Sequence, residues 1–520
     1  MIQTSPKKID CWVLSVKLQK PSLKDNTGDT DRLKTSLSKI LHTNSIHMDL
    51  SLMKEVPQLL RKWDYHVQCI LFKDSSGWII SGLTHTAEKK PITGLALDLG
   101  TTRVVMRLID LCSKKVLAES SFDNPQIKIG PDILSRIHYT SSKEGLGELT
   151  RLIIDGCNTE INHICNSCRI SPEDIFIVSV AGNTAMTHLF MGLDPYWIIR
   201  EPYIPVVNRP GVLKASEVGI DVYKYARIFI FPNIGSYFGG DLISGILYSG
   251  MHKNEETSIL VDVGTNAEVV LGNKSWLIAC AGAAGPALEG GVTKMGMMAG
   301  PGVIDKVRID PDSIQFEIHT IDNRPALGIC GSGLIDLVSQ LFLAGFVDVR
   351  GKFVPDACEE KLIEQDGIQC LIIVPAHESG TKKDIVFSQV DLDLFVSSKA
   401  AMYTILNTIT SSVGIEFKDL STFYVAGTFG SFIDPVSAIN IGMMPDIPLE
   451  KYKVLGNSSL GGASLILTHP EMIDEADKIQ NCITYLELNV NQEFMIRFSG
   501  AKFFPNTDAS LFPSVKVWQE

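Results

Sequence analysis

Two matching strand–turn–strand segments, an alternation of strand and helix signals after residue 91, and a late glycine-rich loop predict an α/β protein. It should have two related lobes preceded by a small α+β unit. Leu95-Ala-Leu-Asp98-Leu-Gly100-Thr101-Thr102 and Ile259-Leu-Val-Asp262-Val-Gly264-Thr265-Asn266 both read apolar–apolar–apolar–Asp–apolar–Gly–Thr. Each runs on into a second apolar strand, Val104–Ile109 in the first and Ala267–Leu271 in the second. Self-similarity at this distance points to duplicated lobes rather than a short repeat array. The expected divisions are a small domain at 1–90, a first lobe at 91–257 and a second lobe at 258–520.

The small unit reads in order as a strand over Cys11–Leu18, a helix over Arg32–Ile40 and a second helix over Leu50–Trp63. Pro57 should interrupt or restart that second helix. Strands over Tyr65–Phe72 and Trp78–Leu83 follow, joined by the turn Lys73–Gly77. In the first lobe, Leu149, Ile153, Cys157, Ile161, Ile164 and Cys168 recur at steps of three and four, one face of a helix. That stripe takes in Cys165–Cys168, the one C-x-x-C, and favours burial over metal binding.

Composition narrows the function. Lys+Arg is 47 and Asp+Glu is 59, a net charge of −12, which disfavours non-specific nucleic-acid or anionic-membrane binding. No apolar run reaches the ~20 residues of a membrane helix. The N-terminal lysines lack an apolar stretch behind them, so no signal peptide is expected and the expected compartment is the cytoplasm. Eleven scattered cysteines make no disulfide framework.

The chemistry concentrates in the hairpins. An Asp ending a buried strand presents its carboxylate at the strand tip. The Gly permits a tight turn and close backbone approach. Successive amide N–H groups form an anion-binding concavity, and the Thr adds a hydroxyl. Mg²⁺ bridging phosphates prefers one or two carboxylates, here Asp98 and Asp262. Two copies in related lobes could grip a polyphosphate from both sides. Walker and Rossmann glycine patterns are absent.

Phe423-Tyr-Val-Ala-Gly427-Thr428-Phe429-Gly430-Ser431 ends a β-rich run in small residues, suited to lying against a flat base or ribose. Leu455–Ala463 is a candidate second wall. Gly328-Ile-Cys-Gly331-Ser332-Gly333 and Ala181-Gly-Asn183-Thr-Ala-Met-Thr-His188 both precede helices. Packing explains them as well as ligand contact does, and His188 reads as structural. Asp241 opens a helix before the second hairpin, where it would either cap the helix or orient or deprotonate an attacking group. Glu268 competes for the second role. The small-residue stretches 279–291 and 295–302 read as mobile loops.

The two hairpins with the later glycine loop resemble the actin/hexokinase/Hsp70-like (ribonuclease H-like) ATPases. The fuller order of motifs is more specific. Asp-x-Gly-Thr-Thr from Asp98, Gly-Asn-Thr-x-Met from Gly182, Gly-x-Asp ending at Asp241 and Asp-x-Gly-Thr-Asn-x-Glu from Asp262 come first. Ala-Ala-Gly-Pro-Ala from Ala283, Cys-Gly-Ser-Gly-Leu from Cys330 and Ala-Gly-x-Phe-Gly from Ala426 follow. This order resembles the reductive activators of corrinoid proteins over nearly the whole chain. Residues 93–520 look like their ATP-binding domain and 1–90 like their small middle domain.

The resemblance implies a protein that binds a corrinoid protein in its Co(II) state and uses ATP to drive its return to Co(I). By motif, Asp98, Gly100, Thr101 and Thr102 would hold phosphate and Mg²⁺. Asp262, Gly264, Thr265 and Asn266 would do the same from the other lobe. Gly331, Ser332 and Gly333 would border the nucleotide, and Gly427, Thr428, Gly430 and Ser431 would face adenosine. Asp241 and Glu268 would be the catalytic carboxylates. Typical members carry a plant-type ferredoxin domain, but its C-x₄-C-x₂-C spacing is absent from these residues. No iron–sulfur cluster is therefore expected in this chain, and the expected electron source is a separate ferredoxin-like protein. A homodimer is the candidate assembly. The rivals are a small-molecule kinase of the same superfamily and a non-catalytic, ATP-gated binding protein.

Overall fold

The computed structural model of the chain describes residues 11–87, 90–236, 238–264, 267–282, 293–310, 315–427, 430–486, 488 and 492–515. It divides into two contact units, Met1–Tyr248 with Ser458–Asn481, and Ser249–Asn457 with Cys482–Glu520. The segment Ser458–Asn481 therefore groups with the first unit, although it lies far along the chain inside the span 258–520.

In the first unit a six-stranded sheet runs Val116–Asp123, Arg103–Asp110, Thr93–Leu99, Ile175–Gly182, Arg227–Ile230, Val212–Lys214. The first three strands form an antiparallel meander, and the next two lie parallel to Thr93–Leu99. The 24-residue helix Gly145–Cys168 buries the predicted stripe: Leu149, Ile153, Cys157, Ile161 and Ile164 are all within the core of this lobe. Cys165 joins that core and Cys168 packs at its edge.

The second unit repeats the plan. Its sheet runs Tyr452–Gly456, Thr422–Ala426, Ser258–Val263, Ala267–Asn273, Trp276–Gly282, Ile483–Tyr485. With the edge strands Val212–Lys214 and Ile483–Tyr485 set aside, both sheets read 3-2-1-4-5 in chain order, with a 24-residue helix leading into the fourth strand, Gly145–Cys168 in one and Gln389–Ser412 in the other. The hairpin strands Thr93–Leu99 and Ser258–Val263 are central, so both faces are covered. Every residue in them is buried except Asp98 and Asp262.

The small unit is a four-stranded sheet ordered Val13–Lys17, His66–Asp74, Gly77–His85, Ile46–Met48. Helices Asp29–Leu41, Leu50–Met53 and Val56–Lys62 accompany it. The predicted restart occurs, with Pro57 in the first turn of Val56–Lys62, where its missing N–H costs nothing. Strand Ile46–Met48 was not expected, since three residues give no readable alternation and its pairing with Trp78–Ile80 is parallel and non-local.

One expectation is corrected. Ala279–Gly282 is not a loop but the end of strand Trp276–Gly282, where it pairs with Ala267–Val270. The rest of that stretch, 283–291, lies outside the described residues. Among the described residues no helix is long and apolar enough to cross a membrane.

Candidate functional site

The first hairpin is held from behind by its backbone carbonyls. Asn124 Nδ2 donates to the Gly100 carbonyl at 3.0 Å. The Arg136 guanidinium donates to the Thr101 carbonyl at 2.7 Å. The backbone N–H of Asn124 donates to the Thr102 carbonyl at 2.8 Å. In a planar trans peptide the N–H of the next residue points opposite to the carbonyl. Tying the Gly100 and Thr101 carbonyls inward thus turns the amides of Thr101 and Thr102 outward, the arrangement of an anion-binding nest.

Side chains complete this edge. Asn183 caps helix Thr184–Met191, its Oδ1 accepting from the Met186 N–H at 2.9 Å. That fixes the amide, and its Nδ2 donates to the Thr101 hydroxyl at 3.1 Å. With its oxygen accepting from Asn183, the Thr101 hydroxyl keeps its own hydrogen for a further acceptor. Ser459 donates to Asp98 Oδ1 at 2.8 Å, orienting that carboxylate. The Leu455–Ala463 stretch, expected beside a base, thus contributes Ser459 to the first hairpin.

Asp241 joins the same cluster. Its helix Gly240–Ser249 follows Gly239, which packs so closely that a Cβ there would meet Asn183 Cα at 2.3 Å and Gly182 O at 2.7 Å. The Asp241 side chain is partly buried. Burial, together with the negative charge of Asp98, pushes its pKa up to about 6, against bonds from the backbone N–H groups of Leu242 and of Asp241 itself that lower it. A carboxyl group with its pKa raised to about 6 can exchange a proton near neutrality.

In the second unit, Asp262 and Glu268 are register partners across the hairpin, so both side chains leave the same face of the sheet. Gly427 closes on this pair. It has φ of +89°, and a Cβ there would lie 2.7 Å from Asp262 Oδ1 and from Val263 O. Its N–H donates to the Gly456 carbonyl at 3.1 Å, joining the tips of Thr422–Ala426 and Tyr452–Gly456. Gly430 is buried and begins a single turn, Gly430–Phe432, beside those two strands. Gly264 is half-buried at the hairpin tip. Thr265, Asn266, Thr428 and the side chain of Ser431 lie outside what is described.

Gly331, Ser332 and Gly333 form the start of helix Gly331–Leu343, all buried. Packing accounts for Gly333, where a Cβ would stand 2.4 Å from the Ile304 carbonyl. His188 is structural as predicted. Its Nδ1 bonds the Thr184 carbonyl at 2.7 Å, its Nε2 accepts from the Val206 N–H at 3.1 Å, and burial lowers its pKa. Seven of the cysteines are buried. Burial pushes the thiols of Cys165 and Cys358 up to about 11, far from the thiolate that metals require.

Sequence reasoning missed Asn124 and Arg136, and it set Ser459 in a wall of the adenosine loop rather than beside Asp98. Asn124-Pro125 does carry a turn signal, and Asn124 accepts from the Gln126 N–H at 3.0 Å as an Asx-type cap. Nothing local marks Arg136, or the bond from Ser459 to Asp98.

Comparison with known proteins covers nearly all of the chain. The RACo linker region matches residues 10–85, the RACo middle region 93–254, and the C-terminal domain of RACo, the ASKHA domain, 256–516. The linker thus falls on the small N-terminal unit and the middle region on the first lobe. The corrinoid activation enzyme RamQ of Eubacterium limosum is 30% identical over 85% of this chain and 78% of its own length. The Co(II) methylated amine-specific corrinoid protein reductase of Methanosarcina barkeri is 26% identical over 75% of this chain and 73% of its own. A solved structure described as a reductive activator for corrinoid, iron-sulfur protein superposes with a TM-score of 0.88 at 36% identity, covering 98% of this chain and 82% of that one.

Proposed function

Because the chain belongs to the family of reductive activators of corrinoid proteins, we propose that its Asp-x-Gly-Thr hairpins bind ATP to drive a corrinoid protein's cobalt from Co(II) to Co(I). The fold is that of the actin/hexokinase-like ATPases, the chain is a corrinoid-activating enzyme, and its target is a corrinoid protein. The observation that carries the ATP assignment is the first hairpin: outward-turned amides, a Thr101 hydroxyl free to donate, and the paired carboxyl groups Asp98 and Asp241 on one edge.

In this reading Asp98, Gly100, Thr101 and Thr102 hold phosphate in the first lobe. Asp262, Gly264, Thr265 and Asn266 hold it in the second. Gly427, Thr428, Gly430 and Ser431 face adenosine. Gly331, Ser332 and Gly333 border the nucleotide mainly by packing. Mg²⁺ fits the donor set. Asp98 and Asp262 offer hard carboxylate oxygens, and among the described residues no group of three His, Cys, Asp or Glu gathers as a protein cage. That suits an ion held chiefly by phosphate and water. When bound, Mg²⁺ neutralises phosphate charge. Asp241, with its raised pKa, orients or deprotonates the attacking water. Glu268, beside Asp262, orients from the other hairpin.

The γ-phosphoryl group passes to water, leaving ADP and phosphate, while one electron from the donor enters Co(II) to give Co(I). A separate ferredoxin-like protein is the proposed donor. Support comes from the scattered, mostly buried cysteines, whose burial favours the thiol over the thiolate.

The test mixes the chain anaerobically with a Co(II) corrinoid protein, a reduced ferredoxin and Mg-ATP. A Co(I) absorbance band that requires both ATP and the chain is expected. Equal reduction without ATP would overturn the reading, and ATP turnover that leaves a phosphorylated metabolite would move it to a kinase.

A further inference from the structure

Arg136, on the short helix Ile133–Tyr139, is fully buried, with 0% of its surface exposed. Its Nε donates to the Gly130 carbonyl at 2.9 Å. One terminal nitrogen reaches Gln126 Oε1 and the Met186 sulfur, each at 3.2 Å. The other reaches the Thr101 carbonyl at 2.7 Å. All four acceptors are neutral. Asp132, the nearest acid in sequence, gives its two carboxylate oxygens to the Ser135 N–H and hydroxyl, each at 2.8 Å. Among the described residues Arg136 makes no ion pair within contact distance, although the Asp132 carboxylate attracts it from further off. Burial lowers its pKa to about 10, which still leaves it charged at neutral pH.

A buried charge whose hydrogen bonds all go to neutral groups is rare in folded proteins and costs free energy that other groups must offset. Here the guanidinium meets the hairpin through a single peptide. The Thr101 carbonyl takes the Arg136 proton, and the N–H of that same peptide, on Thr102, points the opposite way. A cation on the carbonyl side polarises the amide into a stronger donor. The positive potential of the nest therefore comes from Arg136 as well as from its backbone.

We propose that Arg136 is the concealed charge of the first hairpin, a positioning residue that makes the nest select polyanions, with the phosphates of the ligand adding to the counter-charge of Asp132. The proposal rests on the reading of this hairpin as a phosphate site. It extends that reading to a residue that touches no ligand.

Calorimetry on the full chain tests it with three probes: Mg-ATP, Mg-tripolyphosphate and adenosine. Arg136→Met keeps the apolar stem and removes the charge. It should weaken Mg-ATP and tripolyphosphate by at least about tenfold and leave adenosine unchanged. Arg136→Lys, which keeps charge without the planar fork, should recover part of the loss. Gln126→Glu guards against a variant that does not fold. It places a carboxylate beside the guanidinium inside the fold, giving up the bond from Gln126 to the Leu149 carbonyl. It should lower polyanion affinity by about the same factor. Unchanged polyanion affinity in Arg136→Met, or in Gln126→Glu where the first variant is unfolded, would overturn the proposal. So would an equal loss for adenosine, the mark of a structural role. Wild-type chain that binds none of the three probes would instead sink the nucleotide assignment itself.

Discussion

Asp98 and Asp262 stand out because their strands are otherwise continuously buried, so each carboxylate sits at the one position left open. Removing either should spare the fold, since each side chain already lies at a half-open edge. Asp98→Ala and Asp262→Ala are each expected to weaken Mg-ATP binding by at least about tenfold, and calorimetry showing wild-type affinity in both would sink the two-hairpin assignment. Gly100→Ala probes the turn instead. Its Cβ would meet the Arg103 carbonyl at 2.2 Å, backbone that cannot yield. A loss of about 1–3 kcal/mol in thermal unfolding is expected, and an unaltered melting temperature would show that the turn is looser than its geometry. Asp, Gly and Thr were legible because the chemistry of a turn is local. The groups that shape it were not. Asn124 and Arg136 act on carbonyls 24 and 35 residues away, and neither residue type marks that use.

Helix Ser458–Thr468 ties these residues together. Ser459 near its start bonds Asp98, and Ser464 in its middle accepts from Arg107 at 3.1 Å. At its end Ile466 has a carbonyl in the last turn, one of the four that an α-helix cannot satisfy itself. The Trp12 indole N–H of the small unit donates to it at 2.8 Å. Trp12 is fully buried and stacks on Phe72 at 4.8 Å between ring centroids. The sequence marks Leu455–Ala463 as a candidate wall but not where it sits, because Ser459 and Asp98 lie 361 residues apart. Ser459→Ala should leave stability nearly intact and weaken Mg-ATP binding about three- to tenfold, as Asp98 loses the bond that orients it. Trp12→Phe should show the converse, a loss of about 1–3 kcal/mol in urea unfolding from the lost indole bond and volume. Equal effects of the two changes on both measurements would contradict this division between the ends of the helix.

Across the molecule, duplication was the legible feature, because two copies of one motif predict two copies of one sheet, and five strands of each sheet share the order 3-2-1-4-5. The seat of the small unit on the first lobe was not legible. It depends on pairs far apart in sequence: Asp49 with Arg227 at 2.5 Å and Lys214 at 3.4 Å, and Glu55 with Lys224 at 2.5 Å and the Tyr225 hydroxyl at 2.6 Å. Burial alone would raise the pKa of Asp49, but Arg227 and Lys214 outweigh it and the net shift is downward; Glu55 follows the same pattern with Lys224 and Tyr225. Carboxyl groups with a lower pKa folded than unfolded bind more protons in the unfolded chain. Their contribution is therefore present above the unfolded pKa near 4 and disappears as pH falls through the folded values. Asp49 is three-quarters buried against an Arg227 that is 7% exposed, so its loss strands a nearly buried guanidinium. After allowance for solvent, Asp49→Asn should cost about 2 kcal/mol at pH 7. Because the variant lacks one of the carboxylates that acid would protonate, its stability should also fall less steeply than wild type between about pH 5 and pH 3. Urea unfolding across that range measures both quantities, and a variant that keeps the full wild-type acid sensitivity would show that Asp49 does not anchor the small unit.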